Sequence, residues 1–349
     1  MHPYFKTADT LTYDDVLLVP QYSDIESRKE VSTMSWLDQD RGLSFELPII
    51  ASPMDTVCEE QMAITLGKMG GLGIVHRYNT VERQCEIAEN IFENIQASKV
   101  GFAIGVSGDY LERAKRLVGL GARILCLDVA HGDHILMKKA LITLREKLGD
   151  GTHLMAGNIA TLDGFNNLAS WGANSIRVGI GGGSICSTRI QTGHGVPSLS
   201  SILDCRETQH NVAIIADGGI KNSGDIVKAL AAGADFGMVG SLLAGTDETP
   251  GEVFFDTSGK KRKVYRGMAS KDAQMDWRGK ASSLEGISTS VIHKGSAKDI
   301  IEQLDNGIRS GFSYSGARNM NEFWLKAKFI RQSNAASHES NTHILSRNG

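Results

Sequence analysis

The sequence has no CxxC pair, no apolar run approaching 18 residues and no excess of charge of one sign. Five cysteines (Cys58, Cys85, Cys126, Cys186 and Cys205) are odd in number and widely spaced. That pattern argues against a disulfide framework or a zinc ribbon and fits the reducing cytoplasm. Without a long apolar run no helix is expected to span a bilayer. Met1–Pro20 carries Lys6, Asp9, Asp14 and Asp15 and no apolar h-region, so it does not read as a secretory signal. With 37 Lys+Arg against 40 Asp+Glu, the net charge of −3 gives no basic field for nucleic acid or an acidic membrane. Neither partner is expected. His76, His131 and His134 do not have HExxH spacing, which argues against zinc, and Gly71-Leu72-Gly73 does not continue into GxGxxG.

Two features are plentiful: length and glycine. A chain of 349 residues can bury about three quarters of its unfolded surface without covalent staples. Its 39 glycines, about 11% against a usual ~7%, cluster between apolar runs. Those runs read as buried strands at Leu47–Ala51, Gly73–His76, Lys99–Gly105, Arg123–Asp128, His153–Asn158, Ser175–Val178, Val212–Ala216 and Phe236–Val239. Amphipathic stretches separate most of them: Glu59–Met69, Val81–Ile95, Leu111–Val118, Leu136–Lys147, Leu162–Ala169, Leu199–Thr208 and Ser223–Ala231. Eight β-α units over about 200 residues predict an α/β fold, a (β/α)8 TIM barrel, in preference to a doubly wound sheet. Gly121, Gly172 and Gly233, each before a strand, read as left-handed helix terminators. The barrel is expected to be a single catalytic domain over 1–332, with a catalytic loop at 179–195 and a hairpin or flap insertion at 253–295. Lys260–Lys263 reads as a solvated hairpin turn, and 333–349 as a frayed tail.

In such a barrel the chemistry sits at the C-terminal strand ends. Polar and glycine residues gather there: Ser52-Pro53-Met54-Asp55, His76-Arg77, Asp128, Asn158, the loop after Val178, Asp217-Gly218-Gly219 and Gly240-Ser241. Gly179-Ile180-Gly181-Gly182-Gly183-Ser184-Ile185-Cys186-Ser187-Thr188-Arg189 is the sharpest motif. Its glycines let backbone groups approach an ion. Cys186 then reads as a nucleophile on a polar loop near Arg189, or as an incidental thiol in a tight turn. The other four cysteines read as core. Gly218, Gly219, Gly240 and Ser241 fit an anion site, with plain turn structure as the alternative. Asp217 suits ribose hydroxyls better than phosphate. Asp128 and Asn158 either orient a substrate or cap their strands.

These segments resemble the IMP dehydrogenase/GMP reductase family. The resemblance runs from Leu11-Thr12-Tyr13-Asp14-Asp15-Val16 to about Arg331. It includes Ser52–Val57, Ala156-Gly157-Asn158, Gly179–Arg189, Ala216–Gly219, Gly240–Gly245 and Tyr265–Met268. It implies a homotetramer of barrels acting at C2 of a purine nucleoside 5′-monophosphate (GMP or IMP), with Cys186 as the attacking thiolate. It further implies that Ser184, Gly218, Gly219, Gly240, Ser241 and Tyr265 hold the phosphate, and Asp217 the ribose. Ser52, Met54, Gly267 and Met268 would line the base, and Asp128, Asn158, Gly179, Gly181 and Arg77 the nicotinamide cofactor. A potassium ion would rest on the carbonyls of Gly181, Gly183 and Cys186.

Two chemistries share such a site: NAD-dependent oxidation of IMP, and NADPH-dependent deamination of GMP to IMP and ammonia. Val81–Ile95 links strand two directly to strand three, with no CBS insert. Ala269–Glu285 holds Trp277-Arg278-Gly279 but lacks the Arg-Tyr pair by which dehydrogenases activate water. Thr188 and Glu285 match the reductase's ammonia-handling pair. The reductase chemistry is therefore expected. Ser52-Pro53-Met54-Asp55, Ser241–Gly245 and Ser282-Ser283-Leu284-Glu285-Gly286 depart from the usual reductase pattern.

Overall fold

Alternation within each strand builds the core. In a computed structural model, which describes residues 10–281 and 284–340, eight parallel strands close into a barrel. They are β1 (Ile49–Ala51), β2 (Leu72–Val75), β3 (Val100–Ile104), β4 (Ile124–Asp128), β5 (His153–Ile159), β6 (Ser175–Val178), β7 (Ala213–Asp217) and β8 (Phe236–Val239). Pairing of Gly237 with Ile49 and of Val239 with Ala51 closes the ring. Ile50, Ile74, Ala103, Ile124, Cys126, Met155, Ile215, Phe236 and Met238 pack in the interior. Ile49, Ala51, Val75, Leu125 and Leu127 pack outward under the helices. Period-two geometry requires this split when both faces are covered.

The helices are α1 (Glu60–Lys68), α2 (Val81–Phe92), α3 (Tyr110–Gly119), α4 (Ile135–Leu148), α5 (Leu162–Ser170), α6 (Ser198–Arg206), α7 (Ser223–Ala231) and α8 (Ala297–Tyr314). Thr80, Thr161, Asn222 and Ser296 cap α2, α5, α7 and α8 by accepting a backbone N–H. Gly121, Gly172 and Gly233 follow α3, α5 and α7 with φ near +105° (106, 104 and 106°), as the sequence suggested. All eight strands lie where the apolar runs placed them, with ends shifted by a residue or two.

A hairpin at the N-terminal end of the barrel was not anticipated, whereas the insertion between β8 and α8 falls in the stretch 253–295 expected to hold a hairpin or flap. A hairpin of Ser35–Asp38 and Leu43–Phe45 closes the N-terminal end, adding Leu37, Leu43 and Phe45 to the interior. Between β8 and α8 a three-stranded sheet (Phe254–Phe255, Lys261–Arg266, Ser288–Ile292) and a helix (Lys271–Arg278) form the flap. Lys260–Lys263 is not a solvated turn, because the turn ends at Lys260, where Asp256 N–H donates to Lys260 O (3.0 Å). Alternation along the next strand then buries Lys263, whose ammonium donates to Thr246 O (3.1 Å) and Thr249 O (2.5 Å). Just before the stretch 333–349 expected to be a tail, Phe329–Arg331 pairs with Val16–Leu18, and within it Ser333 caps a helix at Asn334–Glu339. The remainder, 341–349, lies outside the described residues, as do Ser282 and Ser283.

Candidate active site

The loop after β6 is shaped by contacts that leave no room for side chains. Gly179 has φ +146°, and a Cβ there would lie 1.9 Å from Asp217 O. Cys186 sits half-buried beyond the glycines, its N–H donating to Gly183 O (3.1 Å). Its thiol donates to Thr188 Oγ1 (3.1 Å), and that hydroxyl donates to Glu285 Oε2 (2.9 Å). The flap supplies Glu285, and backbone bonds fix the alignment. Ser187 N donates to Glu285 O (2.9 Å), Ile287 N to Ile185 O (3.1 Å) and Gly267 N to Ile287 O (3.0 Å). This forms a line from sulfur to hydroxyl to carboxylate, along which a proton can move.

Arg189 does a different job from the one its position suggested. Its guanidinium donates to Val196 O (2.8 Å), and its methylenes pack on Gly181 and Gly195, so it braces the loop. The other four cysteines are buried. Burial pushes the Cys126 and Cys205 thiols up to about 12, which leaves them protonated and inert.

Gly218 and Gly219 are consecutive left-handed residues (φ +97° and +83°), and Gly218 packs on Gly182 and Gly183. At the end of β8, a Cβ on Gly240 would lie 3.3 Å from Met54 Sδ, 3.3 Å from Tyr265 Oη and 3.4 Å from Ser52 Oγ. Tyr265 Oη is 3.3 Å from Ser184 Oγ. Three strand-end loops and the flap thus meet around one small polar space. Met268 accepts from Asp55 N at its sulfur (3.3 Å). Gly267 lies on the seam between flap and catalytic loop. Ser241 meets the flap through its carbonyl, which accepts from Lys294 Nζ (2.7 Å).

Beside this space lies a charge network centred on Arg177, a residue that sequence reading missed. Arg177, 6% exposed, is a cation inside the barrel wall. Its guanidinium donates to Asp128 Oδ1 (2.5 Å) and to Asp217 Oδ2 (2.9 Å). The two carboxylates hold its proton well above the ordinary arginine range despite burial. Asn158 Nδ2 donates to Asp217 Oδ2 and to Gly179 O, both at 2.8 Å. Arg77 approaches Asp128 (3.6 Å) and lies over the Tyr78 ring. Among the described residues the buried Asn158 Oδ1 has no hydrogen-bond partner, and Arg77 Nε has the Asp128 carboxylate at 3.6 Å but no hydrogen bond. Such groups fit a polar ligand on this side. A charged residue within the otherwise apolar strand Ser175–Val178 was the available signal for Arg177.

The family model for the IMP dehydrogenase/GMP reductase domain matches residues 10–343. The chain belongs to this family. Inosine-5′-monophosphate dehydrogenase of Nitrosopumilus maritimus is 32% identical, with 95% of this chain and 98% of the relative covered. GMP reductase of Leishmania major is 33% identical, with 97% of each covered. A crystal structure of Trypanosoma brucei GMP reductase in complex with guanosine 5′-monophosphate superposes with a TM-score of 0.90. It is 30% identical, with 96% of this chain and 98% of that one covered. The family is one of oxidoreductases, and the fold and family expectations hold. Among the described residues no helix is long and apolar enough to cross a membrane.

Proposed function

We propose that this oxidoreductase is a GMP reductase, converting GMP to IMP and ammonia with NADPH in purine nucleotide interconversion. The observation that carries this reading is the line Cys186 Sγ–Thr188 Oγ1–Glu285 Oε2 (3.1 and 2.9 Å). In this reading the Cys186 thiolate attacks C2 of GMP, and the C2–N bond breaks. The departing amine takes a proton by way of Thr188 and Glu285 and leaves as ammonia. A positioned acid of this kind contributes about 10²–10⁴-fold. Asp217 receives the ribose, Ser184, Gly218, Gly219, Gly240, Ser241 and Tyr265 the phosphate, and Ser52, Met54, Gly267 and Met268 the base.

When bound, NADPH would supply a hydride for C2, and the Cys186 thiolate would be the group released there. Asp128, Asn158, Gly179, Gly181 and Arg77 would hold the cofactor, and the unpaired Asn158 Oδ1 and the Arg77 Nε that makes no hydrogen bond suit a polar ligand there. The carbonyls of Gly181, Gly183 and Cys186 are neutral oxygens suited to a monovalent cation such as potassium. Among the described residues the Gly183 oxygen accepts one hydrogen bond, from Cys186 N–H, which leaves it a lone pair. A homotetramer completes the proposal.

A second reading, IMP oxidation with NAD⁺, has support in Ser52-Pro53-Met54-Asp55 and in the dehydrogenase relatives. Absorbance at 340 nm separates the two. GMP with NADPH should give a fall with ammonia released, and IMP with NAD⁺ should give no rise. A rise that yields XMP would overturn the reductase reading.

A further inference from the structure

The floor of the glycine turn that follows β7 comes from outside the barrel. The N-terminal segment is pinned to α6 by Leu11 N–H donating to Ser200 Oγ (2.7 Å) and Ser200 N–H donating to Leu11 O (3.1 Å). Lys228 of α7 donates to Tyr13 O (2.8 Å), and Lys221 pairs with Asp14 (2.6 Å). These contacts carry Tyr13 into the interior, where it is 2% exposed. Its ring lies directly against Gly219: a Cβ there would be 3.4 Å from Cε2 and 3.6 Å from Cδ2 of Tyr13. Ser198 Oγ reaches the same point, 3.3 Å from that Cβ position and 2.7 Å from the one on Gly182.

Among the described residues the Tyr13 hydroxyl has no hydrogen-bond partner. A buried hydroxyl left unpaired destabilises a fold, and phenylalanine would fill the same space without that cost. The group therefore has a use that the empty site does not display. Burial and the nearby Asp225 and Asp217 carboxylates push its pKa up, so it stays protonated and available as a donor. Beneath a left-handed Gly-Gly pair, the acceptor that such a donor suits is the anion seated above.

We propose that Tyr13 completes the phosphate site from below, its hydroxyl donating through one bound water to the phosphate of the nucleotide held over Gly218 and Gly219. This rests on the reading of the pocket as a nucleoside monophosphate site. The test compares Tyr13→Phe with the parent chain in thermal melts without ligand, with inorganic phosphate and with GMP, and in GMP reduction assays. The unliganded variant should melt at the parent temperature or above. Its stabilisation by phosphate and by GMP should shrink, and KM for GMP should rise about tenfold with kcat within about twofold. Lower unliganded stability with unchanged KM would assign the hydroxyl a purely structural role and overturn the proposal. Equal ligand responses in the two proteins would also overturn it. A parent chain that reduces no GMP but is stabilised by phosphate would remove the reductase reading, while the melts still decide Tyr13. A parent stabilised by neither ligand overturns both.

Discussion

Thr188 Oγ1 and Glu285 Oε2 lie 2.9 Å apart although 97 residues separate them in the chain. One belongs to the catalytic loop and the other to the flap, so this bond, beside the backbone bonds from Ser187 to Glu285 and from Ile287 to Ile185, sets a carboxylate behind the thiol's nearest hydroxyl. Glu285→Gln keeps the shape and removes the charge. Turnover of GMP should fall about 10²–10⁴-fold with KM little changed. Steady-state kinetics of NADPH oxidation check this. Cys186→Ala should abolish turnover and leave the melting temperature intact.

Arg177 is bonded to both Asp128 and Asp217. Arg177→Met would leave two half-buried carboxylates facing each other, with Arg77, 3.6 Å from Asp128, beside them. Breaking a buried pair costs about 3–5 kcal/mol. Urea unfolding should show a loss of that order in the single variant. Adding Asp128→Asn should restore part of it, because the repulsion between the two carboxylates is then removed.

At the N-terminal end of the barrel a cavity of about 620 Å³, lined in part by Trp36, Arg206, Asp235 and Trp324, shares no residue with the active site. Burial pushes the Asp235 carboxyl up to about 7, although it accepts from Ile214 N (2.7 Å). A carboxyl raised from 3.8 in the folded state binds protons there that the unfolded chain has released. Its contribution is therefore complete below about pH 4 and is lost as pH rises to about 7. Asp235→Asn should flatten this decline, seen as a smaller fall in melting temperature between pH 5 and pH 7.5. Parallel pH curves for variant and parent would refute the assignment.

The flap is fastened to the barrel by aromatic and ionic contacts. Trp277 stacks on Tyr78 with ring centres 5.9 Å apart, and the Tyr78 hydroxyl donates to Met268 O (2.8 Å). Arg266 bridges Asp55 and Asp276 (2.7 and 2.5 Å). Aromatic pairs are worth about 0.5–1.5 kcal/mol beyond area burial. Trp277→Ala should therefore raise tryptic cleavage at Lys271 and Arg278 by roughly 2–10-fold, since that energy is 1–2.5 times RT. Limited proteolysis with and without GMP reads this out.

The amino-acid sequence by itself determined the barrel, because its information is local and periodic. Apolar runs such as Ile124–Asp128, ended by polar residues and separated by amphipathic stretches with terminal glycines, specify strand, turn and helix within a few residues of one another. The glycine loop before Cys186 was legible for the same reason, since a chain that must turn at Gly179 against Asp217 O tolerates nothing larger. Whether Cys186 was a nucleophile or an incidental thiol was not decided by its neighbours, and Arg189 beside it turned out to brace the loop.

Only the tertiary structure decided which distant groups share a charge or a proton. Glu285 reaches Thr188 because the flap strand pairs with the catalytic loop, and Arg177 serves Asp128 and Asp217 because β4, β6 and β7 end around one space. Lys263 looked solvated in a basic run, yet strand alternation turns it onto two carbonyls. Tyr13 stood as one residue of an N-terminal motif until folding placed its ring beneath Gly219. Local sequence fixes backbone geometry through sterics and periodicity. Electrostatic partners act through space, so they are set by the closure of the barrel and not by order along the chain.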